Sequence, residues 1–372
     1  MNHLTPIIYT TRYCNMACKY CYAGSAWRRS LDIKKINESF RSKTPLLLEF
    51  TDQVMSYNNF THTRFIFHGG EPLLINPENY EKVFRYFKER NYPIEIRIQT
   101  NGTLINKDFI DLFRKFDVKI GVSLDGPAPL NDKTRVFKNG RGSFFTIFKN
   151  LQKMRKANLK FGCLLTLNKT NIEYVEDIYT FFKKYSIPFN IRPIFETGYS
   201  ISKKFLITPQ EYAEAFCKLF DIWFEDSEME ELLIDEFASM IAQFIKPIEG
   251  LVSCAFTRKC SEHFISFDLN GNLYPCDRLY GIPKFLYGNL QEDSLKNLLN
   301  TYNAKRLSER WKILSNTDCK NCEFSRYCYG GCPGNGYFYY GSYFKKDYYC
   351  EAYKTIIKHV YGKIKSSLKV SK

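Results

Sequence analysis

The stretch CNMACKYC, at positions 14–21, places Cys14, Cys18 and Cys21 in one short loop near the start of the chain. Cysteine thiolates ligate [4Fe-4S] clusters, and three of them hold three corners of such a cube. The fourth iron is then open to a small molecule. A structural zinc site takes four ligands, and neither a His nor a fourth Cys stands close enough in the sequence to complete one. The spacing therefore favours an iron–sulfur cluster with one open iron.

Eight more cysteines form a second group in the last third of the chain: Cys254, Cys260, Cys276, Cys319, Cys322, Cys328, Cys332 and Cys350. Eight thiolates are enough for two fully ligated [4Fe-4S] clusters. Zinc stays open as an alternative for this group, because a Cys-x-x-Cys pair also binds zinc. Cys163 and Cys217 lie outside both groups, on a predicted strand and a predicted helix face, and we expect them to be buried, inert thiols.

The compartment and the partners follow from the start of the chain and from its charge. The opening MNHLTPIIYTTRYC has neither the basic nor the apolar region of a signal peptide. No run is long and apolar enough to span a bilayer. We therefore expect a cytoplasmic protein without disulfides. The net charge is +15, but the basic residues are dispersed. This favours a solvated surface over nucleic-acid or membrane binding, with an acidic peptide partner as the second interpretation.

The two cysteine groups, in this order, resemble a known protein family. The first group, with Tyr20 directly before its last cysteine, resembles the radical S-adenosylmethionine (SAM) signature. The second resembles the seven-cysteine pattern of the SPASM domain, which carries auxiliary clusters in peptide-modifying radical SAM enzymes. The resemblance implies SAM and three [4Fe-4S] clusters as cofactors. The sulfatase-maturating relatives imply two ligand sets: Cys254, Cys260, Cys276 and Cys332 for one auxiliary cluster, and Cys319, Cys322, Cys328 and Cys350 for the other.

Strand and helix patterns alternate over the first two thirds of the chain, which predicts an α/β fold with parallel βαβ units. The resemblance implies that the strands form a partial (β/α)6 barrel of TIM type. Active groups are then expected at the C-terminal ends of the strands. The predicted strands are residues 6–11, 64–67, 94–100, 119–124, 160–167 and 189–194.

The late cysteine region begins with a predicted β-hairpin. Asn270-Gly271 stands between two alternating runs and is a strong hairpin signal. The hairpin would bring Cys260 and Cys276 together. We expect two domains: a barrel with a bridging helix, and a small cysteine-rich SPASM domain with this hairpin. The predicted limits are residues 1–235 and 236–372.

The resemblance also assigns a SAM site to loops that follow predicted strands. Gly69 and Gly70 let the backbone approach a ligand closely, although a strand-ending Gly-Gly alone is usually a turn. Glu71 is expected to offer its carboxylate to the SAM ammonium group. From the sequence alone, a surface charge is an equal alternative for Arg135. The remaining contacts that the resemblance implies are Tyr20 against the adenine, Asn101, Ser123, Arg135 at the SAM carboxylate, and the backbone of Ile194.

Asp277 is the candidate catalytic base. It follows Cys276 directly, and the resemblance to the sulfatase-maturating enzymes implies that it takes a proton from the substrate. The alternative is a solvated turn residue after the hairpin, since a base must also lie within hydrogen-bond reach of its proton. His68 is the next candidate for this role, although a lone His is more often a packing residue.

The resemblance implies an oxidoreductase in which a 5′-deoxyadenosyl radical abstracts hydrogen from a peptide or protein. The sequence around His68 and Ser123 favours maturases that oxidise or crosslink side chains of ribosomally made precursor peptides, for example as cyclophanes. An anaerobic sulfatase maturase, which makes formylglycine from Cys or Ser, is the alternative. A non-catalytic iron–sulfur or zinc protein is the alternative of another class, and the open iron argues against it. We also expect a one-electron reductant of the flavodoxin or ferredoxin type.

Overall fold

The structure, a computed structural model, describes residues 4–22, 30–196, 203–226, 232–245, 254–258 and 260–370, with side chains up to residue 367. Its nine strands are β1 (Thr5–Tyr9), β2 (Thr63–His68), β3 (Ile94–Thr100), β4 (Lys119–Ser123), β5 (Phe161–Leu167), β6 (Phe189–Pro193), β7 (Phe264–Asp268), β8 (Asn272–Tyr274) and β9 (Gly288–Asn289). They form one sheet in the spatial order β6-β5-β4-β3-β2-β1-β7-β8-β9.

Helices connect the first six strands and make up most of the C-terminal region. In chain order they are α1 (Ile33–Tyr57), α2 (Pro77–Glu89), α3 (Lys107–Lys115), α4 (Ala128–Asn131), α5 (Phe144–Lys156), α6 (Val175–Lys184), α7 (Pro209–Glu225), α8 (Asp235–Ile245), α9 (Cys260–His263), α10 (Leu295–Leu298), α11 (Tyr302–Ser308), α12 (Arg310–Leu314), α13 (Ser325–Cys328), α14 (Pro333–Tyr340) and α15 (Cys350–Val370). Within the part of the chain that is described, none of these helices is both long and apolar enough to cross a membrane.

Strands β1 to β6 run parallel in chain order, each paired with the next. In β2 to β6 one face of the strand is buried: in β2, Thr63, Phe65 and Phe67 are buried and alternate with partly exposed residues. The other face is partly exposed and carries polar side chains such as Gln99 in β3 and Ser123 in β4. This two-residue alternation is what a strand imposes on its side chains. The predicted partial barrel is therefore confirmed, and its polar face leads to the loops with the predicted SAM contacts.

The predicted β-hairpin is confirmed, but it does not form a separate sheet. Strands β7 and β8 pair antiparallel around Gly271, whose φ is +90°. Strand β7 also pairs in parallel with β1, from Thr5 opposite Phe264 to Tyr9 opposite Asp268. The sheet of the barrel therefore continues across the predicted boundary at residue 235. A division into two domains at that point stays a prediction.

Helix α7 joins the barrel to the C-terminal region. It begins at a capping box, in which Glu211 N donates to Thr208 Oγ1 and Glu211 Oε2 accepts from Thr208 N. Helix α15 packs along it. At the start of α15 the Tyr349 ring lies 5.2 Å from that of Tyr212. Burial of the apolar face of α7 thus fixes the late cysteine region against the barrel.

Candidate active site

The end of β2 supports the loop that leads into Cys14. Gly70 N donates a 2.8 Å hydrogen bond to Thr11 O. A Cβ atom on Gly69 would lie 2.5 Å from Thr11 O, and one on Gly70 would lie 2.2 Å from Tyr13 O. Glycine is therefore required at both positions for this close approach of two backbones. The segment predicted to bind SAM also holds the backbone in front of the first cysteine.

The carboxylate of Glu71 is fully buried and is used inside the protein. Its Oε1 accepts hydrogen bonds from Leu73 N (2.9 Å) and Thr100 Oγ1 (2.6 Å), and its Oε2 accepts one from Asn101 N (2.8 Å). Burial raises the pKa of Glu71 to about 7, and these hydrogen bonds oppose the increase. These hydrogen bonds tie the end of β2 to the end of β3. A contact of the Glu71 carboxylate with the SAM ammonium group stays a prediction.

Asn101 lies beside the first cysteine. Its Nδ2 is 3.7 Å from Cys14 Sγ and donates to Asn15 Oδ1 at 2.9 Å, while its Oδ1 accepts a hydrogen bond from Thr103 N. An N–H donor next to a thiolate ligand stabilises the negative charge on sulfur and orients the ligand. Asn101 thus connects the end of β3 to the cysteine loop, and a direct contact between Asn101 and SAM stays a prediction.

Tyr20 and Arg135 meet at a buried carboxylate, Asp125, which the sequence analysis did not single out although it stands next to the Ser123 motif. Tyr20 Oη donates to Asp125 Oδ2 at 2.6 Å, and Arg135 Nε lies 3.1 Å from the same oxygen. The surface-charge alternative for Arg135 is wrong, because the residue is only 7% exposed. The carboxylate that pairs with Arg135 in this structure is the protein's own. Contacts of Tyr20 and Arg135 with SAM stay predictions.

Ser123 ends β4 and Ile194 directly follows β6, and the two residues lie in different environments. Ser123 is partly exposed on the polar face, where its Oγ accepts a hydrogen bond from Gln99 Nε2 at 3.2 Å. Ile194 N donates to Leu167 O at 2.8 Å, and Ile194 O accepts from Tyr349 Oη at 2.5 Å. Both backbone groups of Ile194 thus have partners within the protein, and a contact of this backbone with adenine stays a prediction.

The three early thiols are each partly buried, and their pKa values are coupled. Burial raises the pKa of Cys14 well above its usual value, and the negative charges of Glu71, Cys18 and Cys21 add to this increase. Burial also raises the pKa of Cys18 to about 12, against the effect of the Arg135 charge. Among the described residues, no three His, Cys, Asp or Glu side chains converge as ligands of a single metal ion. A [4Fe-4S] cube binds each thiolate at a different iron, so this donor set fits a cluster with three protein ligands.

Four of the late cysteines come together near the hairpin. Burial raises the pKa of Cys260 to about 12, and the negative charges of Cys254 and Cys332 add to it. The pKa of Cys276 is also raised, first by burial and then by charges that include Cys332 and Cys260. Cys254 and Cys332 line one cavity. These residues are the set that the resemblance implied for one auxiliary cluster, and we call them the hairpin set.

The other four late cysteines form a second group at the start of α15. Burial raises the pKa of Cys328 to about 12, and the negative charges of Cys350, Cys319 and Cys322 add to it. Cys319 and Cys322 are also joined through their backbone, where Cys322 N donates to Cys319 O at 3.3 Å. The structure thus brings together the four residues that the resemblance implied for the other auxiliary cluster. The thiols outside both groups differ from each other, since Cys163 is buried and Cys217 is only partly buried.

The surroundings of the hairpin set fit an anionic cluster. The cavity that Cys254 and Cys332 line, about 550 Å³ including space open to solvent, is also lined by Arg192 and Arg278. Tyr287, whose N–H donates to Leu273 O of β8, has a buried Oη without a hydrogen-bond partner among the described residues. Cationic side chains and a free hydroxyl donor suit a cluster whose thiolates and sulfides carry negative charge.

Asp277 lies where the hairpin meets the loop after Cys21. Its Oδ2 accepts a 3.1 Å hydrogen bond from Tyr22 Oη. The Tyr22 ring lies 6.5 Å from the His68 ring and 5.4 Å from the Phe195 ring. Burial lowers the pKa of His68, and the negative charge of Asp277 opposes this decrease. A carboxylate, a phenol and an imidazole from three chain segments therefore share one site. Sequence reasoning missed Tyr22, although its position directly after a cluster cysteine was a signal.

Comparison with known proteins places both regions in described families. The family described as the radical SAM superfamily matches residues 8–182, and SPASM, described as an iron–sulfur cluster-binding domain, matches residues 258–323. The chain belongs to the radical SAM superfamily. Together the two matches confirm the order in which the sequence analysis placed the radical SAM and SPASM regions.

Relatives of this radical SAM protein match it along most of its length. It is 28% identical to the cysteine-type anaerobic sulfatase-maturating enzyme of Clostridium novyi, over 94% of this chain and 93% of the relative. It is 27% identical to the serine-type anaerobic sulfatase-maturating enzyme of Bacteroides thetaiotaomicron, over 87% and 80%. A solved structure described as native anSMEcpe with bound AdoMet and Cp18Cys peptide has the same fold, with a TM-score of 0.81, 23% identity and 99% coverage of both chains.

Membership in these families implies SAM and [4Fe-4S] clusters as cofactors. The SPASM match ends at residue 323, so Cys328, Cys332 and Cys350 lie beyond it. The grouping of the late cysteines in the structure includes these three residues. A total of three clusters stays a proposal.

Proposed function

We propose that this radical SAM protein is an anaerobic sulfatase maturase, which oxidises a Cys or Ser side chain of a sulfatase to formylglycine. The observation that carries the proposal is similarity along nearly the whole chain to enzymes of that name, 94% of it in the case of Clostridium novyi. Coverage of this extent spans both the barrel and the late cysteine region. From the sequence alone this function is the alternative to peptide crosslinking, and the relatives support it better.

The early thiols Cys14, Cys18 and Cys21 would hold the cluster with the open iron. When bound, that cluster and SAM together supply a 5′-deoxyadenosyl radical. The chain's own part is to hold the cofactors in place and to exclude water. The backbone of Gly69 and Gly70 supports the cysteine loop, and we propose Tyr20, Asn101, Ser123 and Arg135 as the side chains that surround SAM. The two late sets would hold two auxiliary clusters, for a total of three.

Asp277 Oδ2 is the proposed proton acceptor. A Cys or Ser side chain that has lost a hydrogen atom must still lose one proton and one electron to reach the oxidation level of an aldehyde. The hydrogen bond from Tyr22 Oη fixes Asp277 Oδ2 in position. His68 stands beside this pair with a lowered pKa, because burial disfavours its charged form. It is therefore available as a neutral hydrogen-bonding group next to the acceptor.

Peptide crosslinking is the second candidate function, and His68 is the observation that favours it. By the family resemblance, sulfatase maturases more often have Gln at this position. In either case the proposed substrate is a peptide or protein, and the proposed electron source is a flavodoxin- or ferredoxin-like reductant. The cytoplasmic location, and the absence of nucleic-acid or membrane partners, stay predictions.

The test is a reaction with two synthetic peptides that carry the modification site of a sulfatase, one with Cys and one with Ser at the target position. The reconstituted protein is incubated anaerobically with SAM and dithionite, and products are identified by mass spectrometry. Formation of 5′-deoxyadenosine together with an aldehyde that reacts with a hydrazine probe supports the proposal. A crosslinked peptide without aldehyde, or SAM cleavage that neither peptide turns into product, would reject the maturase function. A protein that holds iron but never cleaves SAM would reject the enzyme class.

A further inference from the structure

Arg278 connects the hairpin set to the barrel. It follows Asp277 in the turn after the hairpin, and its Nη1 lies 3.5 Å from Cys332 Sγ and 3.3 Å from Asn335 Oδ1. The guanidinium group also stacks on the Phe195 ring at 3.7 Å from the ring centre, just beyond the end of β6. Guanidinium is always charged in proteins. A permanent positive charge is thus held directly against a sulfur that is a predicted cluster ligand.

Tyr287 approaches the same set from the other side. Its N–H donates to Leu273 O at 2.8 Å, so it is anchored to strand β8, which leads to Cys276. Its side chain is only 4% exposed, and its Oη has no hydrogen-bond partner among the described residues. A buried hydroxyl without a partner is costly and needs an explanation. Leu273, its backbone partner, stands three residues before Cys276, so Tyr287 is held beside the hairpin that carries this cysteine.

Other arginines near these cysteines have different tasks. Arg192 forms an ion pair with Glu236. Arg310 donates its N–H groups to the carbonyl oxygens of Gly330, Gly331, Tyr343 and Lys345. Arg192 therefore pairs with a carboxylate, and Arg310 binds backbone carbonyl groups. Arg278 differs because its hydrogen bonds include one to a cysteine sulfur.

We propose that Arg278 and Tyr287 raise the reduction potential of the auxiliary cluster held by the hairpin set. The inference rests on the proposed cluster at that set. Reduction adds one negative charge to a cluster, and hydrogen bonds to its sulfurs or a nearby positive charge favour the reduced form. Arg278 supplies a charge-assisted hydrogen bond at Cys332, and the buried hydroxyl of Tyr287 supplies a neutral donor beside the hairpin that carries Cys276. Both act as positioning and potential-setting residues, since neither needs to touch the substrate.

The position of Arg278 also relates this cluster to the site around Asp277. Phe195 packs against Tyr22 at 5.4 Å, and Tyr22 donates to Asp277 Oδ2. The cation that contacts the cluster ligand thus packs against the same aromatic pair that orients the proposed proton acceptor. The proposed proton acceptor, Asp277, and the proposed electron acceptor, the cluster of the hairpin set, are therefore connected through Tyr22, Phe195 and Arg278.

The test measures potentials in the full-length, anaerobically reconstituted protein. Redox titrations are followed by electron paramagnetic resonance, and addition of SAM identifies the signal of the cluster with the open iron. For Arg278→Gln, the ratio of reduced to oxidised protein at a fixed potential should fall about tenfold for one SAM-insensitive signal, which corresponds to about 59 mV for one electron. Tyr287→Phe should also lower the reduction potential of that signal, but by a smaller amount than Arg278→Gln does. Arg278→Lys, which keeps the charge, should recover most of the loss.

Arg306→Gln is the matched control, because it removes one positive charge from a residue that pairs with Glu309 and stacks on Phe344. It should leave every potential unchanged. If Arg278→Gln fails to retain iron, Tyr287→Phe decides the question, since it keeps the packed ring. Unchanged potentials in a variant with full iron content, or equal shifts in all signals, would overturn the inference. A wild-type protein with no SAM-insensitive signal would instead refute the auxiliary clusters themselves, and this inference with them.

Discussion

Replacement of Gly70 by Ala should displace the first cysteine loop from the end of β2. The new Cβ would lie 2.2 Å from Tyr13 O, 2.7 Å from Tyr13 C and 2.9 Å from Arg12 C. All three are backbone atoms, so no side-chain rotation can relieve the contact. The φ angle of Gly70 is not positive, so the substitution tests the steric contact without added backbone strain. Overpacking of this kind costs about 1–3 kcal/mol, and we expect the upper end, about 3 kcal/mol, because the backbone itself must move.

Two measurements check this prediction. Chemical denaturation of the iron-free protein reports the loss of stability, and iron analysis after anaerobic reconstitution reports the loss of the early cluster. The control is Gly162→Ala in β5, where the new Cβ would meet its nearest neighbour, Pro188 O, at an ordinary 3.5 Å. If both variants unfold at the same denaturant concentration and hold the same iron, the argument that Gly70 supports the cysteine loop is wrong.

Three further predictions concern the proposed cofactors and the buried acids. Changing Cys14, Cys18 and Cys21 together to Ala should remove about four of roughly twelve irons and all SAM cleavage; a triple variant that still cleaves SAM contradicts the cluster assignment. Asp277→Asn should leave 5′-deoxyadenosine formation intact while modified peptide falls by about 100- to 10,000-fold, and an unchanged yield by mass spectrometry would make Asp277 a turn residue only. Burial raises the pKa of Glu71 to about 7, so the folded chain binds a proton that the unfolded chain has already lost. Unfolding free energy should therefore fall by an amount on the order of 3 kcal/mol as pH rises from about 4.5 to 7. Glu71→Gln should lack this contribution, and parallel pH profiles for the two proteins would exclude it.

The sequence was sufficient for the parts of the fold that rest on local pattern. Alternating apolar residues gave all six barrel strands within two residues of their ends, because burial on one face imposes that period. The Asn270-Gly271 turn gave the hairpin, because few other sequences favour its backbone. The two ligand sets of the late cysteines came only from resemblance to relatives, and their assignment to clusters stays a prediction.

The parts that could not be predicted depend on contacts between distant segments. Nothing in residues 264–268 indicates that they pair with the first strand. The two strands are far apart in the sequence, and a local pattern of residues does not encode which distant strand is the partner. Glu71 and Arg135 were expected to face a ligand, and the structure gives each of them partners within the protein. Tyr287 lies in no recognisable sequence motif. It was identified because its buried hydroxyl has no hydrogen-bond partner among the described residues, which only the three-dimensional structure shows.

The parallel pairing of β1 with β7 fixes the spacing between two proposed cofactor sites. Hydrogen-bonded neighbours in a sheet are held about 4.8 Å apart, and here one neighbour precedes the Cys14 loop while the other leads into the hairpin set. The backbone of one continuous sheet therefore sets the distance between the start of the Cys14 loop and the hairpin, and a displacement of either strand would be felt by the other.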